Sequence, residues 1–291
     1  MASAPPQDAL TGEEIASTTI PSPSPSTSDS RPPPNAFTHL MSPPKHQHHH
    51  NRPKRPRTPP AKSDPPTAQT TFLGRDGLGA YIANPTAFPA SRVIYHTDTF
   101  VAINDLFPKS TIHCLLLPRH PEKMLLHPFD AFEDPDFLAE VKAETAKLKQ
   151  LAAKELKRRV GVNSQLDQAR EQAMDEETAG TWPQGRDWER EIITGVHAGP
   201  SMGHLHVHVL SVDRRSECMR HRRHYNSFAT PFLVGLEEMP LRPGDERRTH
   251  MGKVELLERE LRCWRCGRGF GRGFQKLKEH LEGEFERWRV I

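Results

Sequence analysis

The sequence predicts an α+β domain with a mainly antiparallel sheet and helices, between a disordered N-terminal tail and a small C-terminal unit. Three observations predict this class. Short apolar strands stand before and after one long amphipathic helix, which is typical of α+β domains. Residues 203–211 alternate histidine with apolar residues at the period of a strand. Closely spaced cysteines near the C-terminus begin a separate compact unit.

The first seventy residues are predicted to be a disordered, Pro/Ser-rich, basic tail. The chain holds 28 prolines and is 35% hydrophobic, and much of this bias lies in residues 1–70. Such a segment cannot bury enough apolar surface to offset the entropy of ordering it. Its cluster Arg52, Lys54, Arg55 and Arg57 fits a solvated surface or a nuclear-import signal equally well.

Residues 71–235 are predicted to form the main domain. Four segments have the apolar content of strands: Arg92–Ile94, Thr99–Asn104, Thr111–Leu117 and Glu191–Val196. Residues 137–159 have helical spacing, with apolar residues on one side and Thr145 interrupting that stripe; they are Leu138, Val141, Leu148 and Leu151. Residues 160–190 are polar and poorly periodic, and are predicted to be a loop or insertion.

The histidine segment places His204, His206 and His208 on one face of a predicted strand. Imidazoles near neutral pH can ligate a metal, with an open position left for water. They can also act on phosphorus, the central ring as nucleophile and its neighbours as donors to the phosphate oxygens. Three histidines that are merely satisfied by hydrogen bonds are the least favoured reading.

The surroundings of the histidines favour phosphorus chemistry. His113 lies on another predicted strand, and His197 stands just before the turn into the triad. Hydroxyl and cationic side chains flank the segment and are predicted to contact phosphate; they are Lys109, Arg119, Ser201, Ser211, Arg215, Ser216 and His224. Asp and Glu are missing from the immediate neighbourhood of the triad, which is weak evidence against a metal there.

The C-terminal unit, residues 236–291, is predicted to be a linker helix and a zinc finger. Cys263 and Cys266 are followed, after a basic glycine-rich loop, by His280 on a predicted helix, as in Cys₂His₂ fingers. Glu284 stands one helical turn further on the same face and is the predicted fourth zinc ligand, with water or another side chain as alternatives. The basic side chains of the finger are expected to contact nucleic-acid phosphates.

Several segments together resemble a known family. They are His204–Leu210, Phe107–Lys109 with Ile112–Pro118, Gly195–Met202, His224–Phe228 and the C-terminal Cys-x-x-Cys unit. The first resembles the signature of the histidine triad superfamily of nucleotide hydrolases and transferases. The full set is similar to the branch of DNA-adenylate hydrolases that carries a C-terminal zinc finger, over roughly residues 90–160 and 191–288.

This resemblance implies a role for each site residue. His206 would be the nucleophile that attacks the AMP phosphorus, and His208 and Ser211 would hold its non-bridging oxygens. His204 would orient its neighbours, and His224 would assist the leaving phosphate. His113 and His197 would support the triad or contact phosphate.

The resemblance also implies partners and a location. We expect one structural zinc ion, none at the catalytic centre, and nicked or broken DNA bearing 5′-AMP as substrate, with AMP as product. The sequence has no apolar run of membrane-spanning length and no signal-peptide core, so we expect a monomeric nuclear protein without membrane contact. A general nucleotide or phosphoramidate hydrolase and a non-catalytic zinc-finger DNA-binding protein remain alternatives.

Overall fold

A six-stranded sheet organises the part of the chain that the structure describes, residues 74–176 and 182–291 of a computed structural model. The strands are β1 (Val93–His96), β2 (Phe100–Asn104), β3 (His113–Pro118), β4 (Ile192–His197), β5 (Val207–Ser211) and β6 (Leu233–Val234). Their order is β1-β2-β3-β5-β4-β6, and all neighbours pair antiparallel. The predicted fold class is confirmed. The predicted tail, residues 1–70, lies outside the described residues.

The helices surround this sheet and continue beyond it. They are α1 (Gly79–Ala83), α2 (Pro128–Ala131), α3 (Pro135–Val160), α4 (Gln165–Asp175), α5 (Arg222–Ala229), α6 (His250–Glu258) and α7 (Phe274–Arg289). All described residues belong to one compact unit. No helix in the described ranges has the length and apolarity needed to cross a membrane.

Helix α3 forms where the sequence predicts it. Its N-cap Asp134 accepts hydrogen bonds from two backbone N–H groups that the first turn would otherwise leave unpaired. The buried stripe runs through Thr145, Leu148, Ala152 and Leu156. Leu151, predicted to lie on this stripe, is 42% exposed. With 3.6 residues per turn, the position that follows Leu148 on the buried side of the helix is Ala152 rather than Leu151.

Within residues 160–190, the described parts, 160–176 and 182–190, contain more secondary structure than the sequence indicates. They contain α4, whose N-cap Ser164 accepts from the backbone N–H of Asp167. Asp167 is the buried residue of this helix, so α4 has almost no apolar face for a periodicity argument to detect. The prediction of a structureless loop is therefore wrong for 165–175, while the segment remains an insertion between α3 and β4.

The strand register decides which side chains share a face of the sheet. Leu115 and Gly195 both lie directly opposite His208, so His113 and His197, each two residues from one of them, point to the same side. The other face meets α3: burial and the neighbouring Glu144 carboxylate raise the pKa of Tyr95 on β1. The histidines therefore line the face that α3 leaves uncovered.

Candidate active site and zinc centre

A hydrogen bond within the histidine segment fixes the orientation and the tautomer of the His206 ring. Nδ1 of His206 lies 2.7 Å from the carbonyl oxygen of His204. A carbonyl only accepts, so Nδ1 carries the proton and the lone pair of the neutral ring is on Nε2. Strand β5 begins at Val207, so His204 and His206 precede it. The prediction of one strand over residues 203–211 is wrong, because the carbonyls of a regular strand point to the neighbouring strand.

A second hydrogen-bond chain fixes the tautomer of His208. The backbone N–H of Lys109 donates to Nδ1 of His113 over 3.1 Å, so neutral His113 carries its proton on Nε2. That nitrogen lies 3.0 Å from Nδ1 of His208 and donates to it. The proton of His208 is then on Nε2, a buried atom without a protein hydrogen-bond partner in the described part of the chain. A buried N–H without an acceptor lowers the stability of the fold, and an oxygen of a bound ligand could serve as that acceptor.

Burial keeps these imidazoles neutral. Desolvation lowers the pKa of His113 to about 4, and it holds the pKa values of His197 and His208 well below 6.5. Desolvation, with the neighbouring His221, lowers the pKa of His224 to about 3. The ring centroids of His197 and His208 are 4.3 Å apart, and those of His206 and His208 are 4.9 Å apart. The cluster therefore presents neutral rings near pH 7.

One cation and one carboxylate lie beside the cluster. The Lys109 ammonium donates to the carbonyl of Phe107 over 2.7 Å, and its charge contributes to lowering the pKa values of His113, His208 and His224. Oδ2 of Asp105 lies 3.5 Å from Nδ1 of His113. Asp105 was not among the predicted site residues, and no sequence pattern singles it out as a neighbour of His113.

The same carboxylate raises the question of a metal at this centre. Ligand atoms of Asp105, His113 and His208 lie within 4.8 Å of one another, as a metal site requires. The hydrogen bond from His113 to His208 accounts for their 3.0 Å approach without an ion. The prediction of a metal-free catalytic centre stays a prediction.

Two predicted phosphate-binding residues stabilise the fold instead. Arg119 donates from Nε to the carbonyl of Ile82 over 3.1 Å and from a terminal nitrogen to that of Thr97 over 2.6 Å. The Ser211 hydroxyl accepts from the backbone N–H of Ile112 over 3.0 Å and donates to Asp213. Ser211 is also three residues from His208 on one strand, so it faces the opposite side of the sheet. Neither prediction of a direct phosphate contact is supported.

The other predicted hydroxyl and cationic contacts are also engaged or more distant. Arg215 pairs with Glu282 of α7 over 2.5 Å. The Ser216 hydroxyl donates to the carbonyl of Pro108 over 2.5 Å and accepts from a backbone N–H. Both residues therefore brace neighbouring segments rather than face the histidines. Ser201 is half-buried in the loop between β4 and β5, where it stays a predicted phosphate contact.

The predicted zinc ligands converge in the C-terminal unit. Ligand atoms of Cys263, Cys266 and His280 lie within 4.8 Å of one another, and Sγ of Cys266 is 3.2 Å from Nε2 of His280. Oε1 of Glu284 lies 3.5 Å from the same nitrogen. Two thiolates, an imidazole and a carboxylate suit tetrahedral zinc. These four residues would hold the ion, whose role would be to stabilise the fold of the finger.

Helix α5 joins the finger to the sheet domain. The hydroxyl of Tyr225 donates to the carbonyl of Arg262 over 2.8 Å and accepts from the backbone N–H of Trp264 over 3.0 Å. Tyr225 also packs in one apolar cluster with Leu277 and Leu281 of α7. Trp264 packs against this cluster together with Phe270 and Phe274, so these aromatic side chains contribute to the core of the finger.

Comparison with known proteins matches both parts of the chain. A model of the HIT domain matches residues 89–215, and a model of the C2HE / C2H2 / C2HC zinc-binding finger matches residues 229–287. An aprataxin-like protein of Schizosaccharomyces pombe is 34% identical over 217 residues, covering 74% of this chain and 82% of that protein. One of Saccharomyces cerevisiae is 30% identical over 219 residues, covering 72% and 95%.

Solved structures agree with these relatives. The crystal structure of aprataxin ortholog Hnt3 in complex with DNA superposes with a TM-score of 0.59 at 30% identity, covering 74% of this chain and 96% of that one. The structure of Hnt3 from Schizosaccharomyces pombe gives 0.58 at 31% identity, covering 74% and 94%. Glu284 stays the predicted fourth ligand, since its carboxylate also pairs with Arg265 and Arg287 over 2.8 and 2.6 Å. With its histidine cluster and its Cys263, Cys266 and His280 group, the chain belongs to the aprataxin-like family of HIT-domain proteins with a C-terminal zinc-binding finger.

Proposed function

We propose that this protein is a DNA-repair hydrolase that removes AMP from 5′-adenylated DNA ends left by abortive ligation. The observation that carries the proposal is the hydrogen bond from Nδ1 of His206 to the carbonyl of His204. It puts the imidazole lone pair on Nε2, as a nucleophile requires, among buried neutral rings. The fungal relatives are named aprataxin-like, and their ortholog was solved with DNA.

The first step transfers AMP to the protein. Nε2 of His206 attacks the AMP phosphorus, a P–N bond forms, and the P–O bond to the DNA 5′-phosphate breaks. The electron pair of that bond leaves with the DNA phosphate, whose charge the nearby Lys109 and His224 help to accommodate. The Nε2–H of His208 donates to a non-bridging oxygen and so gains the partner that it lacks in the protein.

The second step restores the enzyme. Water attacks the same phosphorus, the P–N bond breaks, and AMP leaves as His206 regains its lone pair. A proton from the water ends on the products or the solvent, so His206 begins and ends each cycle in one tautomer. The carbonyl of His204 keeps the Nδ1 proton in place throughout, which makes His204 a positioning residue.

The finger supplies the grip on DNA in this proposal. Arg268, Arg272 and Lys276 lie on the finger, and none of the three forms an ion pair within the described part of the chain. Cations contact phosphates without reading sequence, which suits an enzyme that acts wherever a broken end occurs. We also propose that the protein is nuclear, as repair of DNA ends requires, and monomeric; the location of a fluorescent fusion tests the first of these.

The test is AMP release from 5′-adenylated nicked DNA. Wild type should release AMP, and His206→Ala should release none while binding the DNA with unchanged affinity. Acid quenching of wild type should trap a protein-linked adenylate. A wild type that hydrolyses only small adenylates would favour a general nucleotide hydrolase, and one that binds DNA without hydrolysis would favour a non-catalytic DNA-binding protein. Either result would overturn the proposal.

A further inference from the structure

The insertion between α3 and β4 carries a buried arginine, Arg186, that the reaction does not use. Its side chain is 3% exposed. The guanidinium carbon lies 4.5 Å from the ring centroid of Trp188 and 4.8 Å from that of Trp288, the latter on α7 of the finger. A cation between two indoles gains from both ring faces, so this contact joins the insertion to the finger.

Hydrogen bonds close the same contact. One terminal nitrogen of Arg186 donates to the carbonyl of Trp288 over 2.8 Å. The other terminal nitrogen donates to Oε1 of Glu191 over 2.9 Å, and Nε donates to the same oxygen over 3.1 Å. The indole N–H of Trp288 donates to Oε2 of Glu191 over 2.7 Å. Both carboxylate oxygens and the guanidinium are therefore paired, as a buried ion pair needs to be.

The insertion is itself fixed around Asp167. Its carboxylate accepts from the backbone N–H of Arg186 over 3.0 Å and from the indole of Trp188 over 2.8 Å. At the start of α4, the hydroxyl of Ser164 donates to the carbonyl of Ile291, at the end of the chain, over 2.6 Å. The insertion thus contacts the C-terminal end of α7 at several points and has little apolar surface of its own.

Trp288 shares α7 with two zinc ligands. His280 and Glu284 precede it by eight and four residues, so all three lie along one face of the helix. Trp288 also meets Trp264, between the two cysteine ligands, edge to face with centroids 6.2 Å apart. A shift of Trp288 would therefore move the helix and the metal centre together.

We propose that Arg186 is a positioning residue that holds the finger in the orientation at which finger and histidine pocket grip the same DNA. This inference rests on the proposed function for its substrate. It assigns a purpose to the insertion: Ser164 and Arg186, together with Glu191, hold the C-terminal end of α7 against the sheet domain. Loss of these contacts leaves the pocket and the zinc site intact but loosens the finger.

The experiment compares DNA and a small substrate in the full chain. Arg186→Ala should raise KM for 5′-adenylated nicked DNA and the Kd for plain nicked DNA at least tenfold. Its kcat/KM on the p-nitrophenyl ester of AMP, which has no DNA for the finger to hold, should stay within twofold of wild type. Zinc content should stay at one per chain. Arg190→Ala is the matched control, because Arg190 is 87% exposed, and it should change neither DNA constant.

Two further variants keep the test decisive. Arg186→Lys keeps the positive charge but loses the planar guanidinium with its paired donors. Its KM and Kd for DNA should therefore lie between those of wild type and Arg186→Ala. Trp288→Phe keeps the packing but removes the indole donor to Glu191, and it decides the question if Arg186→Ala does not fold. The inference would be overturned if Arg186→Ala lost as much kcat/KM on the small ester as on DNA, or if its KM and Kd for DNA were unchanged. Plain-DNA affinity tests it even if wild type releases no AMP, so the two proposals can fail separately.

Discussion

Acid should destabilise this protein through its buried neutral histidines, and His113 gives the most direct measure. Its pKa is about 4 in the folded chain against an ordinary 6.5, because the ring is desolvated. Between these pH values the unfolded chain binds a proton that the folded ring refuses. The stability associated with the neutral ring is therefore full above pH 6.5, falls as the pH drops, and stops falling below about pH 4.

The size of this effect follows from the two pKa values. At about 1.4 kcal/mol per pH unit, the full loss is about 3 kcal/mol. At pH 5 about 2 kcal/mol is already lost by the same linkage relation. That is a large part of the ~5–15 kcal/mol by which folded domains are stable, so denaturant unfolding can resolve it.

The assay is urea unfolding at pH 8 and pH 5, followed by tryptophan fluorescence, in wild type and in His113→Gln. Glutamine does not titrate, and its amide N–H can replace the donor to His208. Wild type should lose about 2 kcal/mol more than the variant between the two pH values. Acid effects on the zinc ligands and carboxylates are common to both proteins and cancel in the difference. An equal pH dependence of the two proteins would refute the reasoning.

Two further predictions concern the finger. Glu284→Ala should weaken zinc binding about 10- to 100-fold, by analogy with the loss of other metal-site groups, as measured by competition with a chromophoric chelator; Glu284→His should restore it, and unchanged affinity in the alanine variant would show that another ligand completes the site. Tyr225→Phe should cost about 1 kcal/mol of stability, because it removes the hydroxyl that accepts from the partly buried N–H of Trp264 and donates to the carbonyl of Arg262, and thermal unfolding of the zinc-loaded chain measures this; a melting temperature equal to that of wild type would contradict it.

Residue pattern alone was enough to predict much of the fold. Strands β1 to β4 and helix α3 were predicted to within a few residues, because apolar periodicity is a local property. The short β6 was not predicted, and β5 begins four residues later than predicted. The convergence of Cys263, Cys266 and His280 was predictable from their spacing, while Glu284 stays the predicted fourth ligand. Helix α4 was missed because tertiary contacts through Asp167, rather than an apolar stripe, hold it.

The active-site chemistry divides in the same way. Sequence brings His204, His206 and His208 together along the chain, and the closeness of the His206 and His208 rings could be predicted from that alone; the ring of His204 lies instead against Gly79 of α1. It could not show that Ser211 and Arg119 bond within the fold, because their partners come from distant segments. Nor could it predict Asp105 beside His113.

The sequence by itself determined which side chains are available for chemistry: imidazoles at alternate positions of residues 204–208, and two cysteines, a histidine and a glutamate at finger spacing in the C-terminal unit. These depend on spacing along the chain, which is local. Only the tertiary structure decided the tautomer of His208, since its hydrogen-bond donor, His113, lies on another strand, 95 residues away along the chain. The partners of His206 and His113 are near in sequence, but the backbone conformation that brings them within hydrogen-bond distance is also set by the fold. It also decided that an insertion without a pattern of its own holds the finger through Arg186, because a buried charge is stable only where distant parts of the chain surround it.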